Sequence, residues 1–169
     1  LNFTITSSDP NSSARTGTLK TYHSQIDTPV FMPIGTSGAV KTLLPKDLYD
    51  VKTTIILGNT YHLFLRPGHD LIHRCGGLHK FMNWGKSILT DSGGFQVYSL
   101  AKLNKISDEG VKFQSHIDGS SHFITPEISM EIQRSLGADI IMAFDVCPPG
   151  EATKETVMSA VDQTTKWIK

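Results

Sequence analysis

Asp91 and Asp145 each stand where a short apolar run ends: "SILT" leads into Asp91 and "DIIMAF" leads into Asp145. A third run, "TTIIL", leads into Gly58-Asn59. Two carboxylates and an amide leaving buried strands at a common edge can bind a ligand, hold a metal or exchange protons. Asp is also frequent at loop starts for local hydrogen-bonding reasons, so residue type alone leaves these options open. Asp91 is followed by Ser92, Gly93, Gly94, Phe95 and Gln96. Glycine permits a tight turn and lets a ligand lie against bare N–H groups. Phe95 offers a flat face for stacking, although a lone Phe more often packs into a core. The sequence has no GxxxxGK[ST] and no GxGxxG, which removes the phosphate-loop and dinucleotide fingerprints.

The elements that must carry these residues follow from apolar patterning. "PVFMPI" (29–34), "TTIIL" (53–57), "SILT" (87–90) and "DIIMAF" (139–144) are short runs without alternation, the pattern of strands buried on both faces of a parallel sheet. Helical signals fall between and after them, in "PKDLYDV" (45–51), "HDLIHRCGG" (69–77), "TPEISMEIQRSLG" (125–137) and "TKETVMSAVDQTTKWIK" (153–169). In the third, Thr125 is suited to cap, Pro126 to the first turn and Gly137 to termination, with Ile128, Ile132 and Leu136 on one face. In the last, Thr153 caps, and Val157, Ala160, Val161, Thr164 and Ile168 follow helical spacing. Residues 7–17 read as a polar turn between two short N-terminal strands. Residues 111–125 read as a hairpin turning at Asp118-Gly119, inserted after the third buried strand. Alternating strands and helices argue for a parallel α/β architecture. Four such units make either a small open sheet or half of a (β/α)8 barrel, which takes about 250 residues when whole.

The 169 residues, 38% hydrophobic, suit one globular domain spanning 1–169. Sixteen basic side chains balance sixteen acidic ones, so net charge gives no general argument for a nucleic-acid or membrane partner. Cys75 and Cys147 are far apart and form no ligand-spaced cluster, so no metal ligands are assigned in this chain. One disulfide is open to them, and a reducing cytoplasm is the simpler expectation. No apolar run approaches the ~20 residues of a membrane span. The first residue is Leu rather than Met, as expected of a piece of a longer protein.

Taken in order, "DTPVFMPIGTSGAVKTL", "ILGNTYHLFLRPG", "GGLHKFMNW", "ILTDSGGFQVYSL" and "SHIDGSSHFITPEISMEIQRSLGADIIMAFDVCPP" resemble the tRNA-guanine transglycosylase family, also called queuine tRNA-ribosyltransferases, from about Phe3 to Lys169. The resemblance implies a TIM (β/α)8 barrel, here about its first half, with a small N-terminal antiparallel sheet and the hairpin as an insertion after strand 3. It implies a pentosyltransferase of queuosine biosynthesis. Guanine at the tRNA anticodon wobble position is exchanged for a 7-deazaguanine through a covalent ribosyl–aspartate link.

Carried over by residue, Asp91 is the proton acceptor at the reaction centre. Ser92, Gly93 and Gly94 line the base pocket, and Phe95 holds the place of a stacking aromatic. Asp145 accepts from the N–H groups of the base, and Asn59 orients Asp91. Cys147 lies near the 7-substituent, and Gln96 belongs to the same pocket. The chemistry of the base agrees, since N1–H and the exocyclic amine of guanine are two parallel donors that match one carboxylate.

Val146 stands where bacterial members usually carry Glu. The FDxC arrangement favours 7-aminomethyl-7-deazaguanine over queuine. The family's nucleophilic aspartate, Cys3His zinc site and most of its basic tRNA surface are expected beyond Lys169. The chain itself is therefore expected to bind no cofactor and to be inactive alone. Expected partners are tRNA and a guanine or 7-deazaguanine base, with a homodimer as a family possibility and no membrane. Two other readings stand beside this one: a base- or tRNA-binding partner subunit without catalysis, and a sugar-processing enzyme using Asp91 and Asp145 as paired carboxylates.

Overall fold

A computed structural model describes residues 1–100 and 104–169. The chain opens with an antiparallel sheet of β1 (Asn2–Ser8), β2 (Arg15–Lys20) and β3 (Gln25–Thr28), in the order β1-β2-β3. A two-residue strand, β4 (Ile34–Gly35), and α1 (Pro45–Asp50) follow. Then come β5 (Ile55–Gly58), α2 (Thr60–Leu65), α3 (His69–Arg74), α4 (Leu78–Met82), β6 (Ser87–Thr90) and α5 (Gly94–Leu100). A second antiparallel sheet holds β7 (Asn104–Ile106), β8 (Val111–Gln114) and β9 (Ser121–Ile124). The chain continues through α6 (Pro126–Leu136), β10 (Ile140–Ile141) and α7 (Lys154–Ile168).

One strand from each of the four apolar runs joins a parallel sheet in the order β10-β6-β5-β4, with β4 and β10 only two residues long. Its central pair runs in full register from Ile55↔Ser87 to Gly58↔Thr90. Ile55, Ile56, Ser87, Ile88 and Thr90 are buried there, as strands covered on both faces require. Helix α6 packs across this sheet because Ile132 and Leu136 project from one face into the core beside Ile72, Leu78 and Ile88. Each fully buried aliphatic side chain contributes about 1.5–3 kcal/mol. Its ends are those expected: Thr125 Oγ1 accepts from Ile128 N–H, and Gly137 closes the helix in the left-handed conformation at φ 73°.

The N-terminal sheet is tied to the N-terminal ends of the parallel strands. Ser24 Oγ donates to Thr54 C=O at 3.0 Å, Thr21 and Ser87 share a hydroxyl contact at 2.7 Å, and Ser24 and Ser87 share another. Beside them Asp139 bridges two imidazoles. Its Oδ1 accepts from His23 Nδ1 at 2.8 Å and from His23 N–H at 3.2 Å. Its Oδ2 accepts from Ile88 N–H at 3.0 Å and faces His79 Nε2 at 3.2 Å.

Three expectations are corrected. The run 29–34 is not a buried strand: only Ile34 pairs, and Phe31 is 82% exposed. Pro29 and Pro33 have no N–H to give a ladder, which limits pairing in that run. The run 139–144 pairs only at Ile140 and Ile141. The predicted hairpin is present, with a third strand, β7, added to it. Helix α7 has its predicted cap, with Thr153 accepting from Thr156 N–H, but of its predicted apolar face only Ala160 is buried. Val157, Val161 and Ile168 are exposed.

Candidate functional site

Asp91 follows β6 directly, and its carboxylate turns back toward the end of β5. Asn59 Nδ2 donates to Asp91 Oδ2 at 2.5 Å, and Gln96 Nε2 donates to the same oxygen at 3.0 Å. Thr60 N–H donates to Oδ1 at 2.8 Å. The Thr60 hydroxyl also donates to the Asp91 carbonyl at 2.5 Å. The end of β5 and the first turn of α5 therefore hold this carboxylate between them. Burial pushes the Asp91 carboxyl above its ordinary value, against the donors from Asn59, Thr60 and Gln96. A carboxylate raised in this way is a stronger base toward a bound proton.

Asp145 approaches from the other side. Ser92 Oγ donates to Asp145 Oδ1 at 2.7 Å, and Cys147 Sγ donates to Oδ2 at 3.0 Å. Each oxygen keeps a further lone pair, so the carboxylate is oriented without being used up. The Cys147 thiol is pushed up to about 12 by burial and by the hydrogen bond and charge of Asp145. It therefore stands as a protonated donor to Asp145 at neutral pH.

The glycines divide their roles. Gly93 turns the chain at φ 85°, where L side chains are strained. Gly94 is bare because Asp145 occupies its flank. A Cβ there would stand 2.5 Å from the Asp145 carbonyl oxygen and 2.8 Å from Oδ1. Its N–H donates to Ser92 Oγ at 3.1 Å, which completes the turn.

Asp91, Ser92, Phe95, Gln96, Met142, Ala143, Asp145 and Thr164 enclose a pocket of about 340 Å³. Phe95 is 59% exposed and sits at its rim, available to a flat ligand rather than packed in the core. Among the predicted residues, Asn59 stands behind Asp91, and Gly93 and Gly94 shape the turn. Cys147 backs Asp145 and lines the neighbouring hollows with Val146. The sequence reading missed Thr60, which donates twice to Asp91, and Thr164, whose hydroxyl accepts from Val146 N–H at 3.1 Å. Thr60 had a signal in its place directly after Asn59. Thr164 had none, because it comes from a helix remote in sequence.

Among the described residues, one group of His and carboxylate side chains places its ligand atoms within 4.8 Å: His23, His79 and Asp139. The two imidazoles stack at 3.6 Å with 19° between their planes, so their in-plane lone pairs run side by side instead of converging. This group ties elements together at the opposite end of the strands from Asp91 and Asp145. Both cysteines are free thiols, and two cysteines cannot supply a three-thiolate zinc set. No helix among the described residues is long and apolar enough to cross a membrane.

The profile of the family described as queuine tRNA-ribosyltransferase matches residues 9–169. The chain is similar to the queuine tRNA-ribosyltransferase of Fusobacterium nucleatum subsp. nucleatum, 58% identical over 161 residues, covering 95% of this chain and 43% of that protein. It is 54% identical over 169 residues to the protein of that name from Pelotomaculum thermopropionicum, covering all of this chain and 46% of the relative. With the Caldanaerobacter subterraneus subsp. tengcongensis protein it shares 56% over 169 residues, which is 45% of that protein. The chain thus spans about half the length of the curated relatives it matches. With the profile covering nearly every residue from the first turn to the last helix, the chain belongs to the queuine tRNA-ribosyltransferase family.

Proposed function

We propose that this chain forms the base-recognition part of a tRNA-guanine transglycosylase barrel, of which the β4-β5-β6-β10 sheet is about half. In this reading the full protein exchanges guanine at the tRNA wobble position for a 7-deazaguanine. The observation that carries the proposal is the pairing of two differently held carboxylates on one pocket. Asp145, fixed by Ser92 and Cys147, offers both oxygens as acceptors to N1–H and the exocyclic amine of a guanine-like base. Asp91, raised by burial, takes the proton displaced as bases exchange. Phe95 at the rim covers the base face. In this reading the nucleophilic aspartate and the zinc site are supplied by parts of the full protein outside these residues, so no bond-making step is assigned to a residue here.

A paired-carboxylate hydrolase requires one group that donates a proton to the leaving oxygen. Asp91, the candidate for that role because burial raises it, accepts at both oxygens from Asn59, Gln96 and Thr60, and Asp145 does so from Ser92 and Cys147, which suits a base and a binding carboxylate better than a proton donor. A non-catalytic partner subunit differs from the proposed enzyme only in lacking the nucleophile. In the full-length protein, Asp91→Asn is expected to lower incorporation of labelled guanine into tRNA by about 10²-fold or more, the scale of a lost general base. Incorporation near the wild-type rate would remove Asp91 from the chemistry, and none by the wild type would favour the partner-subunit reading.

A further inference from the structure

Behind the pocket, α6 carries two polar side chains on its core-facing side, Ser129 and Gln133, one turn apart and both fully buried. Every hydrogen-bonding position of the Gln133 amide is used. Its Oε1 accepts from Thr90 Oγ1 at 3.0 Å and from Met142 N–H at 2.9 Å. Its Nε2 donates to Met142 C=O at 2.8 Å and to Ser129 Oγ at 3.3 Å. The Ser129 hydroxyl in turn donates to the Ser92 carbonyl at 2.8 Å.

The place of these contacts matters. Strand β10 pairs with β6 only as far as Ile141↔Thr90. At the next residue, Met142, the backbone N–H and C=O both turn to the Gln133 amide, which stands in for a neighbouring strand. The same amide holds the Thr90 side chain, one residue before Asp91. Through Ser129 it also holds the backbone of Ser92, whose hydroxyl orients Asp145. A closed loop results: Met142 to Gln133, Gln133 to Ser129, Ser129 to Ser92, Ser92 to Asp145, and Asp145 back along three residues of chain to Met142.

We propose that Gln133 and Ser129 are positioning residues that set the separation and aim of Asp91 and Asp145, and through Asp145 the affinity for the base. This inference rests on the transglycosylase reading above. A buried amide with four partners is costly to leave partly satisfied, so it has one low-energy arrangement, and that arrangement fixes where both strands leave the sheet. Neither side chain lines the pocket, so neither touches the base directly.

The test is guanine exchange by the full-length protein carrying Gln133→Met, which keeps the volume and removes all four bonds, or Ser129→Ala, which removes one donor. Gln133→Met is expected to raise KM for guanine at least fivefold, and Ser129→Ala at least twofold. KM for tRNA should stay within twofold in both. A merely structural role would lower Tm and the active fraction, hence kcat, while leaving KM for guanine within twofold of wild type; that result overturns the proposal. If Gln133→Met fails to fold, Ser129→Ala decides by the same criterion. If the wild-type protein itself neither binds nor exchanges guanine, the transglycosylase reading fails and this inference with it. A wild type that exchanges guanine beside variants with unchanged KM refutes the positioning role alone.

Discussion

At the residue scale, the different holding of Asp91 and Asp145 depends on partners distant in sequence: Asn59 and Thr60 on Asp91, and Ser92 on Asp145. Their separate roles were implied by the family resemblance, whereas the apolar runs alone marked only their positions. Gly94 too answers to a residue distant in sequence. A bare backbone read from sequence suggests an open floor for a ligand, whereas the missing side chain leaves room for Asp145. The φ of Gly94 is not in the left-handed region, so the demand is for space alone. Backbone oxygen cannot swing aside as a side chain does. Gly94→Ala is therefore expected to displace Asp145 and weaken guanine affinity by about tenfold, within the 1–3 kcal/mol range of overpacking. Titration of the full-length variant with guanine checks this, and wild-type affinity would show that the loop yields without cost.

At the element scale, patterning found β5, β6 and α6, where burial and caps agree, and failed where one cue was contradicted by another. Pro29 and Pro33 break a run whose apolar content looked like a strand. The apolar run after Ile141 loses its neighbour because Gln133 takes the Met142 backbone. The short helices α2, α4 and α5 were not found by patterning; α2 packs against α5 and α6, and α4 against α3. The link between the N-terminal sheet and the parallel strands is expected to weaken in acid. His79 lies below its ordinary value because of burial and the charge of His23, with Asp139 pulling the other way. The unfolded chain therefore takes up a proton near pH 6.5 that the native state resists, and stability falls as pH drops through that value. For Asp139, burial acts upward, but the Ile88 N–H and His23 outweigh it and hold the carboxyl below its ordinary value. Its stabilisation persists above the unfolded value near 3.9 and is lost only as pH falls toward the folded one. Thermal unfolding of the full-length protein at pH 8 and pH 5.5 is expected to show a lower Tm at pH 5.5. His79→Gln, which keeps a donor toward Lys86 C=O and Asp139, should shrink that difference. An unchanged difference would place the acid sensitivity elsewhere.

At the scale of the whole molecule, the parallel sheet runs β10-β6-β5-β4, and α7 exposes Val157, Val161 and Ile168 while its Trp167 packs against the core with its ring stacked 5.3 Å from that of Phe144. The sequence suggested that face from spacing alone. Its burial depends on what packs against it, and this chain spans about half the length of the relatives it matches. The central claim of the proposed function is that the pocket between Asp91 and Asp145 receives a guanine-type base. Calorimetric titration of guanine into the full-length protein, wild type against Asp145→Ala, tests it most directly. Removing the carboxylate leaves two ligand donors unpaired, at about 1–3 kcal/mol each, so the account predicts a loss of affinity of about 10²-fold or more. Equal guanine affinity in the two proteins would contradict it.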